Sequence, residues 1–168
     1  MLSLYRHITN VIGFKDLMRA NEEWCRSLQL GYGLPRRHVA LKPRGTFKSS
    51  VYTIGYPTWL FARDPNRTIL IVQGSFPVVK DTFQAIRWQI RSNPRYLRTY
   101  GHIYDQERLR VDEVWHKYRD PTAGINPNIR GVSVGANIIC THYKTIIVDD
   151  IVTREDRDSS TIRNKKKS

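Results

Sequence analysis

Residues 69–72, Ile-Leu-Ile-Val, constrain the fold of this chain more than any other stretch. Four apolar residues without alternation belong to a strand covered on both faces, and such strands live mostly in parallel sheets flanked by helices. A second apolar run, 145–148, ends in Asp149 and Asp150. Helical spacing lies around these runs. Leu17, Trp24, Leu28 and Leu30 mark an amphipathic helix, stopped by Gly31, Gly33 and Pro35. Residues 49–66 read as a helix bent or ended near Pro57 and closed by Asp64-Pro65. Val79, Phe83, Ile86 and Ile90 define a third helix with Ser75 as its N-cap. Residues 38–43 and 132–140 read as further strands, the first of them buried. Around Val111, Val114 and Trp115 the strand period is imperfect, and 120–128 carries turn chemistry. Strands alternating with helices predict an α/β layer with a largely parallel sheet.

Between the first strand and the second helix stands Leu-Lys-Pro-Arg-Gly-Thr-Phe-Lys-Ser-Ser, residues 41–50. A phosphate-binding loop of the form G-x-x-x-x-G-K-[ST] places glycines where this chain has Lys42 and Phe47; only Gly45 remains. The context still fits such a loop, since a strand feeds a turn and a helix starts at the lysine, aiming backbone N–H groups at an anion. Lys48 would then reach the β- and γ-phosphates and Ser49 would meet Mg²⁺. Taken alone the stretch reads more simply as a basic turn before a helix. Asp149 and Asp150 supply the second half of a nucleotide site, one carboxylate for the Mg²⁺ shell and one to polarise a water. Alone, that motif is weak too, because buried strands often end in aspartate. The two motifs lie about 100 residues apart, and open α/β sheets bind ligands at the carboxyl ends of their strands, where both would fall.

Charge narrows the partner. Lys and Arg number 28 against 15 acidic residues, a formal net charge of +13, which suits a polyanion such as nucleic acid or, more blandly, a basic solvated surface. No apolar run approaches the ~20 residues of a membrane span, and the amino terminus lacks the pattern of an export signal. Cys25 and Cys140 make no disulfide framework, which is consistent with free thiols in a reducing compartment. His116, Cys140 and His142 have no zinc spacing; ordinary structural roles are expected for the histidines.

Taken together, residues 41–50, 56–75, 83–101 and 141–156 resemble the large subunits of tailed-phage DNA-packaging terminases over nearly the whole chain. Residues 41–50 are similar to that family's deviant Walker A motif, in which flanking glycines are often absent, and 145–150 to its Walker B motif. The resemblance implies a three-layer P-loop NTPase core of the ASCE (RecA-like) type with a mostly parallel sheet, incomplete at the C-terminus. It divides the chain into an N-terminal helical segment (1–35), a P-loop core (36–152) and a polar basic tail (153–168). ATP and Mg²⁺ are the implied cofactors. Arg44, Gly45, Thr46, Phe47, Lys48, Ser49 and Ser50 would bind ATP, Ser49 and Asp149 would hold the metal, and Asp150 and Arg44 would act in catalysis. Adenine contacts would lie upstream, in the region of Trp24 and Gln29, although Trp24 reads more simply as core.

The implied function is the ATPase part of a motor driving double-stranded DNA into a procapsid in the host cytoplasm. The small terminase subunit, the portal and a ring of like subunits would be its partners, with no membrane involved. Only 18 residues follow Asp150. The family's coupling motif and nuclease do not fit in that length, so no nuclease activity is expected and hydrolysis by this chain alone is open. The alternative expectation is a non-catalytic remnant or basic nucleic-acid-binding module that keeps the fold. A small-molecule kinase fits the charge less well.

Overall fold

The computed structural model describes residues 2–17, 19–34, 37–40, 45–108, 110–137 and 142–151. Helix begins almost at once. The Ser3 hydroxyl accepts the Arg6 N–H, opening α1 (Leu4–Arg6), which runs on as a π-helical segment, His7–Ile12, and stops at Gly13 in the left-handed region. Its face of Leu4, His7, Ile8, Val11 and Ile12 is buried. α2 (Arg19–Leu30) follows, but Leu30 at its end is 66% exposed and Trp24 only half-buried.

The next helix starts at Lys48. It is π-helical over Ser50–Gly55 and continues as α3 (Tyr56–Arg63). Pro57 does not end it. The proline stands in the first turn of α3, directly after the π segment, where a change of hydrogen-bond register tolerates a missing N–H. The two π segments touch at Gly55, where a Cβ would lie 2.5 Å from Cγ1 of Ile8. Only a residue without a side chain lets them approach this closely.

β1 (Ile69–Gln73), α4 (Phe76–Arg91), α5 (Pro94–Tyr100), β2 (Glu113–Val114), a 3₁₀ turn at Pro121–Ala123, β3 (Ile129–Ser133) and β4 (Thr145–Asp149) complete the described fold. The sheet order is β2-β3-β1-β4, with β1 parallel to both β3 and β4 and only β2 antiparallel. The chain is thus an α/β protein with a mostly parallel four-stranded sheet. Ile71 stands beside Gly131 and Ile147, and Gln73 beside Ser133 and Asp149. α4 lies on this face so closely that a Cβ on Gly131 would be 2.5 Å from Phe83 and Val79. Trp59, Phe61, Phe83, Tyr96, Ile71 and Ile129 are fully buried between this face and the helices; truncating Phe83 to alanine would cost about 3–5 kcal/mol.

The described residues place α4 and the Ser50–Gly55 segment on the Ile71–Asp149 face, and the α/β class with a mostly parallel sheet holds. On the opposite face Leu70 and Val132 are buried, whereas Ile146 and Val148 on β4 are 61% and 56% exposed. Several expectations need correction. The expected buried strand at 38–43 is absent from its described part: 38–40 forms no ladder with any described strand and Val39 is 82% exposed; 41–43 falls outside the described residues. An apolar segment becomes a strand only when a neighbour supplies its ladder, and no described strand does so here. The strand expected at 132–140 lies earlier, at Ile129–Ser133, and 138–140 falls outside the described residues. Around Val114 pairing shrinks to two residues and a bridge between Tyr104 and His116. α5, capped by Asn93, was masked in the sequence by its arginines.

Candidate functional site

Gly45, Thr46 and Phe47 form the turn before the Lys48 helix. Gly45 has φ +77° and Phe47 φ +59°. A left-handed conformation costs a residue with a side chain roughly 1–2 kcal/mol, so Phe47 adopts at some expense the backbone that glycine would take freely. Part of that expense is offset by packing, since its ring lies against the core. Asn21, buried on α2, donates from Nδ2 to the Thr46 carbonyl at 3.1 Å and ties the turn to the N-terminal segment. Arg44 lies outside the described residues.

From this turn the helix delivers its side chains to the carboxyl end of β4. Lys48 Nζ is 2.7 Å from Asp149 Oδ1 and 2.7 Å from Asp150 Oδ1. Ser49 Oγ donates to Asp149 Oδ2 at 3.1 Å, and Thr53 Oγ1 donates to the same oxygen at 2.6 Å. Asp149 is 5% exposed, whereas the Asp150 side chain is 72% exposed on a residue with φ +46°. Burial alone would raise the Asp149 pKa. The Lys48 ammonium and the Thr53 and Ser49 hydroxyls outweigh it and hold the carboxyl below its usual value. Burial likewise pulls Lys48 down, and the two aspartates more than offset it, leaving the ammonium harder to deprotonate than a free lysine.

The structure therefore joins Lys48, Ser49, Asp149 and Asp150, residues about a century apart in sequence. Ser50 opens the π segment and bonds to none of them. Gln29 is not near: its Oε1 accepts the Leu4 N–H at 2.9 Å, a tie between α1 and α2. The Trp24 ring packs on Tyr52, 6.2 Å between centroids. His116 is a satisfied structural histidine, its Nδ1 accepting the Tyr118 N–H, with burial pushing its pKa to about 4.

Two site residues escape sequence reading. Thr53 follows Ser49 by one helical turn, a spacing that points both hydroxyls to one side. Gln73 stands beside Asp149 on the neighbouring parallel strand, facing the same side, 3% exposed, and its Oε1 has no partner among the described residues. A buried amide oxygen left without a donor costs free energy, and this one lies next to the carboxylate.

Two hydroxyls and a carboxylate are hard oxygen donors of the type Mg²⁺ takes, one or two protein ligands being usual when phosphates and waters fill the rest. Among the described residues no cluster of three or more His, Cys, Asp or Glu side chains suits a metal, so a cation here would depend on Ser49, Thr53, Asp149 and the ligand's own oxygens. No described helix is long and apolar enough to cross a membrane. A scan against protein-family models finds no match, and a search of curated proteins finds no significant relative.

Proposed function

We propose that this chain binds ATP with Mg²⁺ at the Lys48–Asp149 site as the ATPase part of a DNA-packaging motor of the terminase large-subunit type, on a P-loop NTPase core. One observation carries the reading: Lys48, Ser49 and Thr53, at the start of one helix, converge on Asp149 at the carboxyl end of a parallel strand 100 residues away from Ser49. Phosphate oxygens would take the Lys48 ammonium and the N–H groups of the first helical turn. Ser49 and Asp149 would hold the cation, Thr53 orienting the carboxylate. Mg²⁺ would neutralise charge on the phosphates. Asp150, exposed beside Asp149, and the Gln73 amide are the groups available to orient a water. The net charge of +13 favours double-stranded DNA as the polymer acted on.

The test is binding of a fluorescent ATP analogue with and without Mg²⁺. Metal-dependent saturation that Lys48→Ala abolishes supports the reading; equal binding by that variant removes it. A second reading, a nucleotide-binding or nucleic-acid-binding module without turnover, is favoured by the contact of Asp150 with Lys48, which occupies the carboxylate that hydrolysis would require. DNA-stimulated phosphate release would decide against it.

A further inference from the structure

α4 buries one stripe and leaves a tryptophan on its other side. Val79, Phe83, Ile86 and Ile90 point into the core, and at about 100° per residue Trp88 stands nearly opposite them. Its side chain is 53% exposed, so packing of the fold does not account for an indole here. The other tryptophans each meet a ring or a cation: Trp24 packs on Tyr52, Trp59 meets Tyr56 and Arg63, and Trp115 carries the Arg108 guanidinium at 4.2 Å. Among the described residues nothing of that kind lies on Trp88, and its Nε1 has no acceptor. Beside it runs a row of cations. Lys80, Arg87 and Arg91 fall at i, i+7 and i+11, within about 40° of one another around the helix and along about 16 Å of it. None of the three is ion-paired among the described residues. Arg87 is steadied by donating from Nη1 to the Arg110 carbonyl at 2.9 Å. Asp81, the one acid in α4, lies about 10 Å back from Trp88 along the axis.

We propose that this face of α4 binds single-stranded nucleic acid, its phosphates following the row of Lys80, Arg87 and Arg91 while a base stacks on Trp88. The cations alone would suit any polyanion; the indole selects among them. In a duplex the base faces are covered by neighbouring pairs, and an aromatic plate on a helix surface meets only sugar and phosphate. In a single strand each base offers a free π-face, and stacking on an aromatic side chain is worth about 1–3 kcal/mol whichever base it is. An acidic polypeptide supplies carboxylates without a stacking plate at each repeat. Gln84, one turn before Trp88 on the same side, is exposed and can hydrogen-bond a base edge or a sugar. The face lies on the side of α4 away from the sheet, and the proposal stands without nucleotide binding at Lys48 and Asp149.

The probe is a fluorescein-labelled oligothymidylate of about twelve nucleotides, inside the usual range of single-strand sites. It is titrated by anisotropy against the whole chain at low salt without ATP; a duplex of equal length and a polyglutamate peptide are the comparisons. Saturable binding of the single strand is expected, weakened by about tenfold or more in Trp88→Ala and largely restored in Trp88→Phe. Arg91→Gln should weaken binding and lower the slope of log affinity against log salt by about 0.7. Both positions are exposed, so the urea midpoints should not move and a loss of binding is not unfolding. Acrylamide should quench the emission that Trp88→Phe removes, as it must if the indole is open in solution. Absence of saturation, undiminished binding by Trp88→Ala, or an unquenched Trp88 would overturn the proposal. So would a duplex or polyglutamate that binds as tightly and loses as much in Trp88→Ala, which would give the face to duplex DNA or to an acidic protein.

Discussion

Lys48→Met tests whether the two ends of the site meet. Asp149 is 5% exposed and Lys48 26%, so the change leaves a buried carboxylate with only the Ser49 and Thr53 hydroxyls. Breaking a fully buried pair costs about 3–5 kcal/mol; with Lys48 a quarter exposed, about 2 kcal/mol is the reasonable figure. Asp149→Asn should cost about 1–2 kcal/mol, since the amide oxygen still accepts from both hydroxyls but the ammonium loses its charge partner. In the double variant the second loss is largely cancelled, giving a coupling of about 1–2 kcal/mol. Urea unfolding at pH 7 measures it through the midpoint at constant slope. The depressed Asp149 pKa fixes the sign of the pH effect. The folded carboxyl ionises below the ordinary aspartate range, so its contribution is complete above the unfolded pKa and is lost as pH falls through the folded value. Additive single effects, with coupling below about 0.5 kcal/mol, would refute the contact, because neighbours in an ion pair do not add.

Burial lowers the pKa of His7 to about 3 and that of His116 to about 4. Both stay neutral in the fold while the unfolded chain takes up protons below pH 6.5, so stability should fall by roughly 2–3 kcal/mol per histidine between pH 7 and 4.5; a flat profile in urea melts would contradict this. Gly131→Ala forces a methyl against Phe83 and Val79 and should cost about 1–3 kcal/mol, read from the same melts. Gln73→Leu should keep the unfolding midpoint within about 1 kcal/mol yet weaken Mg²⁺-dependent ATP binding or turnover by about tenfold. Unchanged nucleotide behaviour would take Gln73 out of the site.

The interior strand at Ile69–Gln73 was legible because burial on both faces writes itself as an unbroken apolar run. α4 was legible because one-sided burial writes itself as Val79, Phe83, Ile86 and Ile90. Lys48, Ser49, Asp149 and Asp150 could be paired on paper because their places at strand and helix ends are local. What stayed hidden depends on neighbours. Val39 and Val148 look buried in composition, but whether an apolar residue is covered is decided by another segment. Gln73 carries no motif; its place beside Asp149 follows from strand register, which a single segment does not encode. Phe47 looked like an obstacle because a residue type does not announce its φ. Packing of its ring let the backbone turn as glycine would.

The Lys48 ammonium already has two carboxylates within 2.7 Å, so an arriving anion does not meet a free cation. It has to draw Lys48 away from Asp149 and Asp150, and the buried Asp149 carboxylate then needs a replacement positive charge in the same step. An anion that brings its own divalent cation satisfies both demands, and a bare one leaves a buried carboxylate uncompensated. On the proposed reading the site would exchange one cation for another, and metal and phosphate should bind to it cooperatively.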